Sequence, residues 1–337
     1  MEATNLTING FVLLGFYEFP SFQLGLFLIF LILYVGTLVG NSVPTALFCF
    51  DPRFHSPMYI LLCNLSVIDM SFSTMVLPKL LDILLTGNHV ISYNGCFTQY
   101  FFYVVLIVLV FFILAAMAYD RYVAICHPLR YSYFISLQVC FWMSLTFWSL
   151  GVLNGILYVI LVSSCIFCGS HEVDHLFCDF KPLIKLSCSD THTIETITLV
   201  LATIIGVVPS IMTLVSYMYI ISTILKIPSK EGRQKTFSTC SSHLTVILLF
   251  YGTMFGMYLR PKSSYSMDQD KVFAVLNTGV IPMANPLIYS LKNQEVKKAL
   301  CRMMRKYILR KDYMKKKYGR IIVGQTTKPV LSPHLIH

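Results

Sequence analysis

Residues 97–116, FTQYFFYVVLIVLVFFILAA, contain no charged side chain, and six other stretches are nearly as poor in charge. Such runs suit a bilayer, where a helix of about 20 mostly apolar residues spans the hydrocarbon and pairs its own backbone groups. Seven spans are expected, at residues 22–50, 57–85, 97–124, 139–162, 196–225, 237–259 and 272–291. Only 12% of the residues are charged and 56% are hydrophobic, whereas a soluble domain averages about 25% charged. The expected fold class is an all-α membrane protein, a seven-transmembrane helix bundle without linker, low-complexity segment or sizeable soluble domain.

Basic residues orient the bundle. With the N-terminus outside, the cytoplasmic segments hold 20 of the 26 Lys and Arg, including Arg53, Arg121, Arg130, Lys226, Lys230, Arg233, Lys235 and the tail. Lys181, Lys185, Arg260, Lys262 and Lys271 fall outside, and Lys79 lies within a span. This bias predicts N-out, C-in. Asn5 opens an Asn-Leu-Thr glycosylation triplet on a short outer arm, residues 1–21, in agreement with that topology. No cleavable signal peptide precedes the first span, so that span is expected to serve as its own signal anchor.

The net charge of +10 does not point to nucleic acid, because of where it lies. Residues 292–320 carry twelve Lys and Arg against Glu295 and Asp312, directly after the last span. Residues 292–306 are expected to form a short amphipathic helix on the anionic inner leaflet, followed by a basic cytoplasmic tail, 307–337. Cys301 in this segment is a candidate for palmitoylation. Of eleven cysteines, Cys96, Cys168, Cys178 and Cys188 lie on the expected outer face, where disulfides persist. Four cysteines allow three pairings, and the residues alone do not choose among them.

Asp120 and Arg121 stand where the third span ends, a costly place for an ionisable pair unless it is matched and useful. The surrounding stretch, MAYDRYVAICHPLRY at 117–131, resembles the signature of olfactory receptors within the rhodopsin-like G-protein-coupled receptors. Further stretches resemble the family in the same order: Gly40-Asn41, PMYILLCNLSVIDMSFSTMVLPKLL from Pro57, SYMYIISTILKIPSKEGRQKTFSTCSSHL from Ser216, FYG at Phe250 and NPLIYSLKNQEVKKAL from Asn285. KTFSTCSSH resembles the tetrapod-type subgroup.

That resemblance implies a plasma-membrane odorant receptor of olfactory cilia. It would bind a small hydrophobic volatile molecule, activate a stimulatory heterotrimeric G protein and raise cyclic AMP, without enzyme activity or cofactor. Asp120, Arg121 and Tyr122 would form the switch: Arg121, held by Asp120 at rest, would turn toward Tyr217 and Tyr289 on activation. The sixth helix would move, with Asn285-Pro286 as a hinge in the seventh. Cys96 would pair with Cys178, and Cys168 with Cys188. The odorant pocket would be lined by Val104, Ile107 and Val108 of the third span and Leu201, Ala202 and Ile205 of the fifth. Tyr251, Met254 and Tyr258 of the sixth and Val275 and Thr278 of the seventh would complete it, the faces following helical spacing. Tyr103 stands where aminergic relatives carry an aspartate, which disfavours an amine ligand.

Departures from the pattern include Pro44, expected to kink the first span, Ala284 before Asn285-Pro286, and a longer tail. Val110 stands where a glutamate often joins the second-span aspartate, here Asp69, in holding sodium. Sodium binding is therefore expected to be weak, with Asp69 bonded instead to Asn41 or Asn285.

Two other readings are open to a chain of this kind, a zinc site and a transport path. His171-Glu172-Val173-Asp174-His175 reads H-E-x-x-H, which binds zinc only when a helix brings its two histidines onto one face. It lies in a loop without an amphipathic helix, so no metal is expected. A seven-helix transporter or channel would need charged residues at bilayer depth. Asp69 is the clearest such residue, and no repeat relates the two halves of the chain.

Overall fold

The computed structural model describes residues 10–18, 20–168, 170–258 and 267–292, together with Val296, Lys298, Ala299, Cys301 and Arg302. The chain divides into two compact units, Met1–Lys292 and Asn293–His337. Asn5, the basic tail and most of the expected amphipathic helix lie outside the described residues.

Seven apolar helical spans build the first unit. They are α1 (Gln23–Phe50), α2 (Pro57–Thr86), α3 (Tyr93–Cys126), α4 (Leu137–Ser163), α5 (His192–Leu225), α6 (Lys230–Tyr258) and a composite seventh. The seventh joins α7 (Met267–Val275), a π-helical turn at Leu276–Val280 and α8 (Ile281–Lys292). α3, α5 and α6 begin before the apolar runs that announced them: α5 and α6 open on charge-bearing turns, and α3 opens on the uncharged turn Tyr93–Cys96, capped by Ser92 Oγ accepting from Gly95 N. At α5 the start has a physical reason: Thr191 Oγ1 donates to Glu195 Oε1 at 2.8 Å, and an acid in the first turn opposes the positive end of the helix dipole. The bundle turns apolar side chains outward, as at Ile32, Leu153 and Leu214. An outer surface of this kind fits lipid rather than water.

Prolines shape the seventh span. Pro282 and Pro286 have no N–H, which orphans the carbonyls four residues earlier, those of Thr278 and Pro282. Neighbouring helices satisfy both: Ser73 Oγ donates to Thr278 O at 2.8 Å, and Asn41 Nδ2 donates to Pro282 O at 2.9 Å. The departure from α-geometry thus falls at Leu276–Val280, not at the expected Asn285-Pro286 hinge. Gly40 permits the close approach of α1, since a Cβ there would stand 2.7 Å from Pro286 Cγ. Pro44 is accommodated inside α1, which runs as one helix to Phe50.

A small sheet covers one end of the bundle. β1 (Gly10–Leu13) pairs antiparallel with β2 (Val90–Ser92) and parallel with β3 (Glu172–Val173), in the order β2-β1-β3. The N-terminal arm is therefore partly a built element, with Phe11 and Leu13 fully buried.

Candidate functional site

Beneath that sheet, the loop joining α4 and α5 folds over the bundle as a lid. Disulfides Cys96–Cys178 and Cys168–Cys188 hold it, the first to the start of α3 and the second within the loop. Gln99 of α3 accepts from Cys178 N at 3.0 Å, and the Phe177 ring lies 4.5 Å from that of Tyr103. Lys271 of α7 reaches back to Asp174 at 2.7 Å and lies 3.8 Å from Glu18. One buried ammonium thereby joins the arm, the lid and the seventh span, a role that a lone lysine in the sequence gave no means of reading.

The H-E-x-x-H stretch belongs to this lid. Glu172 and Val173 form β3, so the backbone there is extended and does not stack residues four apart on one helical face. His171 Nδ1 lies 3.2 Å from Tyr93 Oη, and His175 Nδ1 lies 3.2 Å from Phe177 O. Among the described residues, no group of three metal-ligating side chains comes together.

A cavity of about 760 Å³ lies under the lid, lined mostly by apolar side chains. Val104, Ile107 and Val108 of α3 line it, as do Ala202 and Ile205 of α5 and Met254 and Tyr258 of α6. The other four expected pocket residues are not in its lining. Leu201 is turned one position from the Thr198–Ala202–Ile205 face. Tyr251 sits deeper, stacked on Phe111 at 5.4 Å and 3.1 Å from Thr213 Oγ1, so it ties three helices together. Val275 and Thr278 flank or occupy the π-turn, where an extra residue per turn rotates the helix away from a register counted back from Asn285.

An acid reaches the cavity from the lid. Tyr103 and Tyr258 hydroxyls lie 3.3 Å apart, and Tyr258 Oη donates to both oxygens of Asp179 at 3.4 Å. Tyr103 therefore does not by itself exclude an amine, because Asp179 supplies a carboxylate that the spans do not. Burial is the main cause that raises Asp179 to about 6, and burial likewise lowers His175 to about 4. The two have opposite pH signs. Folded Asp179 binds its proton more tightly than the unfolded chain does, so its part of the stability rises as pH falls through 6. Folded His175 binds its proton less tightly, so its part is lost as pH falls from the usual histidine range toward 4. Asp179→Asn is expected to raise the melting temperature of the detergent-purified protein at pH 7.4, the gain shrinking as pH falls through 6. Lys181 is not stranded, since it also donates to Met257 O at 2.6 Å. A variant less stable than wild type at pH 7.4, or a gap independent of pH, would contradict this account.

At the opposite end, Arg121 donates to Asp120 Oδ2 through Nε at 3.0 Å and Nη2 at 2.7 Å. Tyr131 Oη donates to Asp120 Oδ1 at 2.8 Å. Burial and the Asp120 carboxylate raise the Tyr131 phenol, which keeps its donated proton in place. Tyr217 is bonded elsewhere, sharing a 2.8 Å hydrogen bond with His243 Nδ1, while the His243 and Tyr289 rings lie 6.4 Å apart. Tyr122 pairs with His127 at 3.0 Å. His243 was legible only as the last residue of a motif; its burial and its bond to Tyr217 are tertiary facts.

Midway between the two ends, Asn285 Nδ2 donates to Asp69 Oδ2 at 2.8 Å, so Asn285 is the partner of the acid and Asn41 is not. Val110 and Asp69 line a small cavity of about 10 Å³, room for about one water molecule. Val110→Glu is expected to place a second carboxylate there and make signalling newly sensitive to sodium. Strong and equal sodium dependence in wild type and variant would contradict the assignment.

A profile of the olfactory receptor family matches residues 30–307. The chain belongs to the olfactory receptor family. It is 46% identical over 302 residues to olfactory receptor 5AP2 of Mus musculus, covering 90% of this chain and 95% of the relative. It is also 47% identical over 302 residues to olfactory receptor OR9H1 of Homo sapiens, covering 90% and 98%. Olfactory receptor 1G1 of Gorilla gorilla gorilla is 44% identical over 305 residues, covering 90% and 97%. This olfactory receptor is therefore a multi-pass membrane protein of a G-protein-coupled family that recognises odorants and is not enzymatic. The transporter or channel reading is set aside.

Proposed function

We propose that a small, mostly apolar odorant occupies the cavity under the lid and biases α6, so that Arg121 leaves Asp120 and a stimulatory G protein is engaged. Cyclic AMP then rises. The lid end faces outward at the plasma membrane of a sensory cilium, and the Asp120 end faces the cytoplasm. Cavity and switch share α3 and α6, so a ligand that prefers one arrangement of α6 shifts the other end by its differential affinity. The observation that carries this reading is the largely apolar cavity on α3 and α6, since α3 carries the Arg121–Asp120 pair and α6 carries His243, bonded to Tyr217, at the opposite end. In cells expressing the receptor with a stimulatory α-subunit, a chemically diverse odorant panel is expected to raise cyclic AMP. The same panel is expected to do nothing in cells lacking that subunit. A silent receptor at verified surface level would contradict the proposal.

A further inference from the structure

The cavity under the lid reaches the lipid-facing surface of the bundle. On α5 its lining is not confined to the inward residues Thr198, Ala202 and Ile205; it continues around the helix to Leu199, Thr203 and Val207, and Leu199 is 61% exposed on the outer surface. On α4 it is lined by Asn154 and Tyr158. The gap between these two helices has a local cause. Gly151 and Gly155 lay α4 directly on α3: a Cβ at Gly155 would stand 2.8 Å from Val105 Cγ2, and one at Gly151 would stand 3.1 Å from Val105 O. Drawn onto α3, α4 shares one hydrogen bond with α5 among the described residues, Tyr158 Oη donating to Thr198 O at 3.1 Å. At a rise of about 1.5 Å per residue, Asn154 on α4 and Thr203 on α5 both lie roughly one turn deeper than that bond. Thr203 Oγ1 donates to Leu199 O of its own helix and not across the gap. Asn154 is half-buried and makes no hydrogen bond among the described residues.

The geometry points to a lipid-side entrance between α4 and α5, bounded by Asn154, Leu199, Thr203 and Val207, through which small apolar molecules dissolved in the bilayer reach the cavity. This deepens the odorant-receptor reading and rests on it. Each methylene favours hydrocarbon over water about fourfold, so a molecule of the class that the cavity suits is far more concentrated beside this gap than in the water at the lid end. At the lid end the lining carries Lys185, His192 and Glu195, whose hydration an apolar molecule disturbs at a cost. Asn154 adds a polar step to the lipid-side route. Lipid tails offer an amide no hydrogen bond, so its N–H and carbonyl groups are left for the one polar group of an entering molecule, as donor or as acceptor. The Tyr158–Thr198 bond closes the gap above, toward the lid.

The entrance is tested by the rate of passage. Purified receptor in lipid nanodiscs is mixed with an octanol that carries a photoreactive diazirine, irradiated after delays from milliseconds to minutes, and its adducts are mapped by peptide mass spectrometry. Wild type is expected to acquire adducts first at Leu199, Thr203 or Val207 and then at Val104 and Ala202 inside the cavity. Thr203→Trp and, independently, Val207→Phe fill the gap. Each is expected to slow cavity labelling about tenfold while the final yield stays that of wild type, because a narrowed entrance changes arrival and departure alike and leaves the equilibrium alone. Val208→Trp, on an exposed face of α5 outside the lining, is expected to have no effect, and melting temperatures verify that each variant is folded. Cavity adducts that precede those at the gap in wild type, or adducts at the gap with none in the cavity at any delay, would overturn the entrance. So would an unslowed rate in both gap variants, a lower final yield at an unaltered rate, or equal slowing by Val208→Trp. The labelling does not depend on signalling, so a panel silent in cells would overturn the receptor reading on separate evidence.

Discussion

Arg121→Ala is expected to abolish odorant-evoked cyclic AMP while leaving the cavity able to bind. Its guanidinium is bonded twice to Asp120, its side chain is 20% exposed at the end of the bundle away from the lid, and no cavity-lining residue contacts depend on it. Its loss removes the group proposed to receive the G protein. It also leaves Asp120 buried with Tyr131 as its remaining hydrogen-bond donor, and breaking a buried ion pair in this way costs about 3–5 kcal/mol. Surface staining must therefore accompany the assay. Asp120→Asn supplies the complementary arm: it weakens the hold on Arg121 and is expected to raise basal cyclic AMP without odorant. Tyr131→Phe is expected to do the same to a smaller extent. Normal signalling by Arg121→Ala at matched surface level would remove Arg121 from the mechanism.

Releasing the lid is expected to have an effect of similar size. In the double variant Cys96→Ser and Cys178→Ser, the tie between the lid and α3 is gone, and odorant responses are expected to disappear together with most surface delivery. Cys178 lies between Phe177, which caps Tyr103, and Asp179, which meets Tyr258, so one covalent bond positions both contacts. Its sequence separation of 82 also constrains the unfolded chain more than the separation of 20 closed by Cys168–Cys188; closures in this range contribute roughly 3 to 5 kcal/mol. The paired variant Cys168→Ser and Cys188→Ser is expected to retain part of the response. Surface level and cyclic AMP, measured on both pairs, decide the matter. An unimpaired response without Cys96–Cys178 would mean that the lid does not shape the cavity.

The spans were legible because hydrophobic length and helical period are local properties. The face Val104, Ile107 and Val108 followed from counting along an unbroken helix, and the same count extended one turn reaches Tyr100; on α5 it leads from Ala202 back to Thr198. The residues that escaped did so for tertiary reasons. Strands of four, three and two residues pair across positions far apart in the chain, as at Gly10 with Ser92 and Val12 with Glu172, and no local pattern announces such partners. Val275 and Thr278 do not line the cavity because a π-turn breaks the count, and that turn is supported by Ser73 of another helix. Asp179 was passed over because it lies outside the spans, where attention to apolar faces does not reach.

The central claim is that a ligand under the lid opens the other end of the bundle. Distance measurement between spin labels tests it most directly, with one label at Val139 of α4 and one at Phe237 of α6, both exposed positions. The panel members that raise cyclic AMP are expected to lengthen that separation by about 5 Å. A separation unchanged at saturating odorant, in a receptor that still signals, would contradict the account.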